Sequence, residues 1–345
     1  MIEKPQTQAI GNAESGSNIL QVGALPLTDG WRGFARRNRN PIGALLMFFA
    51  FWAILLVIGR GVFFRPEAYT SLFTMMPITI LMATAVVFTT TSGAIDLSYV
   101  STMGLGAWGF AVLAKNLDNP WLGLLLAIIL GVLVGLLNST LVLKFRLTPL
   151  IATLGVNFFI RGLVNILSNA KSIPLPDIEV TSFFQVCCST TIGSIPNQMW
   201  WALLFAGITW ALYSKHTFGK HIHIIGDNEE SAREMGISIS RTKAFAYIYT
   251  AVAASIAGAL IVCILRTFWP DTGAGLLLPI LTAVFVGGNP LIGGLGTVIG
   301  ALIGSFTVTF IETGIIAAGF TDVYTGFVYG IVLIISLLGF RTSKR

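Results

Sequence analysis

Long apolar runs that are almost free of charge recur along this chain of 345 residues. The first occupies residues 42–59, contains no charged side chain, and is long enough to cross the hydrocarbon core of a bilayer. Only 10% of all residues are charged, whereas soluble domains carry about 25%. Because backbone polar groups in lipid must be paired within a segment, spanning segments of this kind are helices. The pattern therefore predicts an all-α polytopic membrane protein.

The further apolar runs are separated by short polar connections, and Arg161 is the one charged residue within them. Together with the first run they predict about ten transmembrane segments in one transmembrane domain, residues 41–345. A polar tail, residues 1–40, precedes this domain. The further runs occupy residues 72–91, 98–114, 121–143, 148–167, 198–213, 244–264, 276–287, 291–311 and 323–339.

The basic residues predict how these segments are oriented. The tail ends in "WRGFARRNRN", and alternation of ten segments places "KFRLT" at 144–148, the 214–243 loop and the terminal "RTSKR" on the same side. Basic loops of membrane proteins lie in the cytoplasm, so both termini are predicted to be cytoplasmic. The net charge of +6 is concentrated in these loops, which argues against a nucleic acid partner. Residues 168–197 then form the largest outer loop, either a connector or a partner contact.

Glycines interrupt the apolar pattern at membrane depth in two places. The first glycine break is "TTTSGAIDLSYVSTMGLGAWG", residues 89–109, and the second glycine break is "VFVGGNPLIGGLGTVIGALIG", residues 284–304. Irregular backbone in a bilayer must be covered by protein or by a watery cavity. Broken helices in the two halves of a chain indicate a translocation site, and tight turns between helices are the alternative. Elsewhere, glycines repeated every four residues predict close helix packing, at Gly131 and Gly135 and at Gly296, Gly300 and Gly304.

Polar residues within the apolar runs are candidates for the substrate path. Asp96 lies in the first glycine break, where an acid is a candidate functional group, although its carboxylate could instead cap the following helix. Ser98 follows it closely. Thr153 and Asn157 could hydrogen-bond a polyhydroxylated solute, and hydrogen bonds between helices are the alternative use.

Acidic, basic and histidine residues concentrate in the 214–243 loop. Within "GDNEESAREMG", Asp227 and Glu230 have the spacing of a capping box, with Asp227 as the cap. Gly236 fits the left-handed residue that ends a helix. The pattern predicts a short solvated helix over 226–236, which we expect to dock into a cleft on a cytoplasmic partner.

Neither the histidines nor the cysteines predict a metal site. His216, His221 and His223 lack the cysteine and carboxylate neighbours that such a site needs. The adjacent Cys187 and Cys188 are poorly placed to bridge each other, and Cys263 falls in an apolar run. Small buried thiols are the favoured interpretation.

Four ordered motifs resemble those of bacterial ABC-importer permeases of the ribose/galactose/autoinducer-2 type. "TSGAIDLS", residues 91–98, resembles the Gly-Gly-Ile-Asp-Leu-Ser signature of that family. "RLTPLIATLGVNFFIRGL", residues 146–163, is similar to its Pro-x-x-Ala-Thr-Leu-Gly segment. "FGKHIHIIGDNEESAREMGI", residues 218–237, resembles its loop that engages the ATPase, and "GGNPLIGGLGTVIGALIG", residues 287–304, resembles its glycine-rich late segment.

The resemblance implies a permease subunit in the bacterial inner membrane that imports a monosaccharide or a similar small polyhydroxylated solute. The implied partners are a cytoplasmic ATP-binding subunit, a second permease subunit (identical or homologous), a periplasmic solute-binding protein and membrane lipid. The chain contains no Gly-x-x-x-x-Gly-Lys-Ser/Thr phosphate loop, so we expect no cofactor of its own and ATP hydrolysis by the partner. The residues expected to couple it to that ATPase are Gly226, Asp227, Asn228, Glu229, Ala232, Arg233 and Gly236.

Two other functions remain open at this point. The same class of permease could carry a nucleoside or a branched-chain amino acid. An ion-coupled secondary transporter would need ionisable groups at mid-membrane, for which Asp96 is the plausible candidate.

Overall fold

The computed structural model describes residues 39–58, 61–64, 66–191, 193, 195–290, 293–321 and 323–343. Within these ranges a helix overlaps each of the ten predicted apolar segments, and three further helices lie in the loops. The helices are α1 (Arg39–Ile58), α2 (Pro66–Thr91), α3 (Tyr99–Asn116), α4 (Pro120–Ser139), α5 (Pro149–Ser168), α6 (Ser182–Cys187), α7 (Asn197–Ser214), α8 (Thr217–Asp227), α9 (Glu229–Glu234), α10 (Ile239–Leu265), α11 (Leu277–Val286), α12 (Val298–Ala317) and α13 (Val323–Ser343).

The all-α polytopic architecture is confirmed, whereas the number of spans remains a prediction. Among the described helices, five are long and apolar enough to cross a membrane by length and composition: Ala68–Thr91, Pro120–Lys144, Pro149–Ser168, Ile239–Leu265 and Val298–Ala317. Three shorter apolar helical stretches are Ile42–Ile54, Ala274–Val286 and Val323–Ser336. The second of these joins a 3₁₀ turn, Ala274–Leu276, to α11.

Helix α10 packs on α2, α3 and α4, and small residues let it approach α4 closely. A Cβ atom at Gly135 would lie 2.5 Å from the Cα of Ile248, and one at Gly131 would lie 2.8 Å from the carbonyl oxygen of Ala251. A side chain at either position would push the two helices apart. The predicted packing role of these two glycines is confirmed.

Helix α12 packs on α11 in the same way. A Cβ at Gly300 would overlap the carbonyl oxygen of Gly287, and a Cβ at Gly304 would overlap that of Ala283. The prediction for Gly296 is wrong, because this residue precedes α12 and lies in a loop.

Each glycine break contains a non-helical stretch between two helices. The first interrupts the chain between the end of α2 and Tyr99. In the second, the described residues 287–290 and 293–297 are not helical and α12 begins at Val298, so the predicted start of a segment at residue 291 is wrong. Positive φ angles explain the difference, since Gly288, Gly293 and Gly294 have φ of 84°, 83° and 73°, which a continuous right-handed helix does not allow.

The 168–197 loop packs against the bundle. Its residues Ile173–Pro174 (β1) pair antiparallel with Thr267–Phe268 (β2), which follow α10. Phe183 of α6 is buried against the rings of Phe110 and Trp121. An ion pair between Glu179 and Arg266 joins the same two segments. This packing accounts for the apolar patches of the loop, and a partner contact there stays a prediction.

The three cysteines are free thiols. Cys188 and Cys263 are buried. The interpretation of these two as small buried side chains is confirmed.

Candidate functional site

The 214–243 loop contains two helices, α8 and α9, joined at Asn228. The side-chain Oδ1 of Asn228 accepts hydrogen bonds from the backbone amides of Glu230, at 2.9 Å, and Ser231, at 3.1 Å. The predicted cap at Asp227 is therefore wrong. Asp227 is the last residue of α8, whereas Asn228 has the extended backbone, with φ of −155°, that a capping residue needs.

Helix α9 ends as predicted. Gly236 has φ of 76°, and its amide donates to the carbonyl of Arg233 at 3.0 Å. The amide of Ile237 donates to the carbonyl of Ala232, also at 3.0 Å. These bonds satisfy carbonyl groups that would otherwise be free at the end of the helix.

One face of α9 is buried and the other is exposed. Ala232 is fully buried, whereas Glu230, Arg233 and Glu234 are exposed and Met235 is 66% exposed. Charged side chains around an exposed methionine form a surface that another protein can bind.

An ion pair ties α9 to the bundle. The buried ammonium of Lys243, in the first turns of α10, contacts the carboxylate of Glu229, whose side chain is 52% exposed. Because Lys243 is buried, this pair is screened less than a surface pair. Movement of α9 would therefore pull on α10 through this ion pair.

Helix α8 lies against both glycine breaks. A Cβ at Gly226 would overlap the carbonyl oxygen of Thr91 and the amide nitrogen of Gly294. The amide of Gly294 itself donates to the carbonyl of Thr91 at 2.8 Å. His223 reaches the same place, with its Nδ1 atom 2.9 Å from the carbonyl oxygen of Gly294. Thus Gly226, expected at the ATPase contact, faces the bundle.

Side-chain hydrogen bonds extend this junction. The hydroxyl groups of Thr91 and Tyr213 are 2.7 Å apart, and the backbone of Gly296 lies against both. The junction therefore joins the end of α2, the end of α7, helix α8 and the second glycine break. His216 has a local role, because its Nδ1 accepts from the amide of Phe218 and caps α8.

Asp96 is buried, with 2% of its surface exposed, and organises the start of α3. Its Oδ1 accepts from the backbone amide of Ser98 at 2.8 Å and from the Ser98 hydroxyl at 2.7 Å. The Nδ2 atom of Asn138 donates to the Ser98 hydroxyl at 2.7 Å and approaches the carboxylate of Asp96 at 3.4 Å. These bonds are the ones expected of a carboxylate that orders a helix start.

Thr153 belongs to the same assembly, whereas Asn157 does not. The buried Thr153 hydroxyl accepts from the amide of Leu97 at 3.1 Å and donates to the carbonyl of Pro149 at 2.9 Å. Asn157 lies one helical turn further along α5 and is half-buried. Its Oδ1 has no hydrogen-bond partner among the described residues. The structure therefore joins three of the four candidate path residues and leaves Asn157 apart.

Arg161, one further turn along α5, holds the turn that precedes α11. Its guanidinium donates to the carbonyl of Pro270 at 3.1 Å and to that of Thr272 at 3.2 Å. A third contact joins it to the carbonyl of Val100 at 3.4 Å. These bonds explain a basic side chain within an apolar helix, since three backbone carbonyls replace its hydration.

The sequence did not identify the residues that join the loop to the glycine breaks. Tyr213 carries no charge and lies outside the quoted motifs. Thr91 and His223 lie within quoted motifs, but nothing in those motifs indicates that the two residues meet at one junction. Gly294 was one glycine among many. The clustered glycines indicated close backbone contacts, but only the fold shows which backbone segments these glycines contact.

Comparison with known proteins gives one family. The family described as "Branched-chain amino acid transport system / permease component" matches residues 68–337. The matched range includes both glycine breaks, the 214–243 loop and the turn held by Arg161. No solved structure matches this chain.

Curated relatives resemble the chain over most of its length. It is 30% identical to "Probable ABC transporter permease protein y4mJ" of Sinorhizobium fredii over 77% of this chain and 78% of that protein. It is 30% identical to "Autoinducer 2 import system permease protein LsrC" of Yersinia enterocolitica over 87% of this chain and 82% of that protein. The protein of the same name from Photorhabdus luminescens is 28% identical over 88% of this chain and 90% of its own length.

Proposed function

We propose that this chain, which belongs to the branched-chain amino acid transport system / permease component family, imports a monosaccharide or a similar small polyhydroxylated solute. It is a permease subunit of an ABC transporter, as the resemblance implied. It is not an enzyme, since ATP hydrolysis in these transporters belongs to a separate subunit.

The choice of cargo rests on the relatives. Several are named as permeases of autoinducer 2 import systems, which favours a small hydroxylated solute. The description of the family itself favours a branched-chain amino acid as the second candidate. A nucleoside is a third candidate, because it also presents several hydroxyl groups.

The mechanism rests on one observation, the contact of Gly226 with both Thr91 and Gly294. A short helix with an exposed charged face, α9, follows α8 directly after Asn228, and α8 touches both glycine breaks. Closure of a nucleotide-binding partner would push on α9, and α8 would transmit the movement to both glycine breaks. The partner can shift the bundle between two arrangements only by as much as its affinities for those two arrangements differ.

The partner surface is the exposed part of α9 and its ends. Asp227, Asn228, Glu229, Arg233 and Gly236 are exposed there, while Ala232 anchors the helix to the bundle. We assign the ATP-binding subunit to this surface and place it in the cytoplasm together with both termini. ATP would be bound by that subunit, and this chain would need no cofactor of its own.

The complete importer would contain a second permease subunit, identical or homologous, and a periplasmic solute-binding protein. Membrane lipid of a bacterial inner membrane would surround the two permease subunits. The face of α5 that bears Phe158 and Phe159, which are 73% and 61% exposed, is available to either lipid or the second subunit. On this arrangement Asn157 contacts the solute along α5, and Asp96, Ser98 and Thr153 shape the path from behind it.

Uptake measurements in vesicles test the class of transporter. Vesicles that contain this chain and its partner subunits should accumulate solute only when ATP is present. Uptake should persist when proton and sodium ionophores remove ion gradients. If uptake is abolished by the ionophores and does not depend on ATP, the protein is instead an ion-coupled secondary transporter.

Substitution on α9 tests the assigned partner surface. Arg233→Glu, on the exposed face, should reduce co-purification of the ATP-binding subunit and uptake together. Arg241→Glu, an exposed change at the start of α10, is the matched control and should leave co-purification near the wild-type level. Equal loss in both variants would contradict a specific role for α9.

A further inference from the structure

A cavity of about 510 Å³ lies between α2, α10, α12 and the turn that precedes α11. This volume falls in the range of ligand pockets, about 300–1,000 Å³. Apolar side chains cover much of its wall, and several polar groups face it. The polar and aromatic lining residues are Thr79, Trp269, Asp271, Thr272, Thr309 and Glu312.

The cavity lies at the end of the bundle away from the 214–243 loop. Thr91, at the last turn of α2, contacts α8, whereas Thr79 lines the cavity ~18 Å earlier along the same helix. Leu265 and Trp269, at and beyond the last turn of α10, line it as well, although α10 begins beside α9. If the ATP-binding subunit binds α9, as proposed above, the cavity faces the side from which an imported solute arrives.

The turn that carries Trp269 and Asp271 is held firmly in place. Arg161 binds the carbonyls of Pro270 and Thr272, on both sides of Asp271. The hydroxyl of Thr272 accepts from the amide of Trp269 at 3.3 Å and donates to its carbonyl at 2.6 Å. A cavity wall that is fixed in this way is prepared for a ligand before the ligand binds.

The cavity offers mainly hydrogen-bond acceptors. The carboxylates of Asp271 and Glu312 are acceptors, and Glu312 has capacity left beyond its bond from the Tyr329 hydroxyl at 3.2 Å. The Thr309 hydroxyl donates its hydrogen to the carbonyl of Ser305, at 3.0 Å, so its oxygen lone pairs can accept a hydrogen bond from a solute. A solute rich in hydroxyl donors matches this lining.

The acidic charge of the cavity and the aromatic ring of Trp269 restrict the class of solute that the cavity can bind. The two titratable groups that line the cavity are both acids, and the guanidinium of Arg161, behind the turn, offsets only one of them. Acidic walls disfavour a solute that carries a carboxylate. Trp269 is 51% exposed and presents a flat ring, on which the apolar face of a sugar ring can stack.

We propose that this cavity receives the solute before translocation and that it selects neutral, hydroxyl-rich molecules over carboxylate-bearing ones. The proposal rests on the proposed function, because the direction of transport decides which side faces the solute. It names the substrate class for that function.

Thiol labelling from outside the cell tests the cavity without any knowledge of the solute. Thr309→Cys places a thiol in the cavity wall, and Ser305→Cys, on the same helix but fully buried and outside the cavity lining, is the matched control. A membrane-impermeant cationic methanethiosulfonate should label Thr309→Cys at least about fivefold faster than an anionic one. In an Asp271→Asn/Glu312→Gln background the two rates should become similar. No labelling at position 309, or faster labelling by the anion, would overturn the proposal.

Uptake by the assembled importer tests the substrate class. D-ribose, D-galactose, uridine, leucine and choline are the probes, and at least one of the first three should be transported with ATP. Trp269→Ala should raise the KM of that uptake at least about fivefold, and Trp269→Phe should raise it less. Trp200→Ala, an exposed tryptophan on α7, should leave it unchanged.

The outcomes separate the two proposals. Transport of leucine or choline alone, or a wild-type KM in both Trp269→Ala and the Asp271→Asn/Glu312→Gln variant, would overturn the solute assignment. Uptake that ignores ATP would contradict the proposed function instead, and the labelling rates at position 309 would still decide the charge and accessibility of the cavity.

Discussion

The backbone amide of Gly294 donates a 2.8 Å hydrogen bond to the carbonyl oxygen of Thr91, and this bond joins the two glycine breaks. Gly226 of α8 closes over the same pair of residues. The two irregular segments are therefore parts of one junction beneath the 214–243 loop. Two short breaks that meet in this way can move together when α8 moves.

Gly226→Ala should weaken this junction. The added methyl group would overlap the carbonyl of Thr91, and such overpacking costs about 1–3 kcal/mol in free energy of unfolding. We expect a lower thermal unfolding midpoint in detergent and reduced ATP-dependent uptake. Gly207→Ala is the control, because a Cβ there meets nothing within 4 Å. If both variants unfold at the wild-type temperature, the close contact at Gly226 is not present in the protein.

Glu229→Gln should loosen α9 from α10. The substitution leaves the buried ammonium of Lys243 without its carboxylate, which we expect to cost about 1–2 kcal/mol because Glu229 itself is partly exposed. Hydrogen exchange of the amides in residues 229–235 should become faster. Glu234→Gln, also on α9, should change exchange little, and Glu229→Gln/Lys243→Gln should recover part of the protection. Unchanged exchange in Glu229→Gln would contradict a structural role for the ion pair.

Substitution of Asp96 tests whether its carboxylate caps the start of α3 or takes part directly in transport. Asp96→Asn keeps an oxygen that can accept from the amide and hydroxyl of Ser98, whereas Asp96→Ala leaves both donors buried without it. We expect Asp96→Ala to lower the free energy of unfolding by about 1–3 kcal/mol and Asp96→Asn to lower it less. Uptake should follow stability. Loss of uptake in a stable Asp96→Asn protein would show that the acid acts directly on transport.

Arg161→Lys should free the turn before α11. A lysine cannot reach the carbonyls of Pro270 and Thr272 together in the forked geometry that a guanidinium provides. Amide exchange in residues 269–274 should accelerate by about tenfold, while exchange in α4 stays unchanged. Arg241→Lys, at an exposed position, is the matched control. Equal protection of the turn in wild type and Arg161→Lys would argue that other contacts hold it.

Cys187 should react slowly with thiol reagents near neutral pH. Burial, and then the neighbouring Cys188, raise the pKa of its thiol to about 12 from an ordinary value of 9.0. The reactive species is the thiolate, so alkylation of the folded protein should rise about tenfold per pH unit from pH 8 to pH 11. Peptide mapping after iodoacetamide treatment measures this rate, with the unfolded chain as the control. A rate that levels off below pH 10 in the folded protein would contradict the raised pKa.

Several features of the site were predictable because their causes are local. The cap and the left-handed end of α9 depend on a few neighbouring residues, although the cap was assigned one residue too early. That error arose because α8 continues through Asp227, which the loop sequence alone did not show. The close packing at Gly131 and Gly135 was predictable from spacing, whereas the same spacing failed at Gly296, which lies in the non-helical segment before α12.

What the sequence by itself determined is the class of the protein: an all-α membrane permease with a charged, capped segment between apolar runs. Hydropathy and capping act over one helix length, so they can be read along the chain. Only the tertiary structure decided that Gly226, Thr91 and Gly294 meet, that Arg161 holds the turn around Asp271, and that an acidic cavity lies beside that turn. These features bring together residues far apart in the chain. At the junction and at the Arg161 turn at least one partner is a backbone amide or carbonyl, which has no side chain by which the sequence could reveal it.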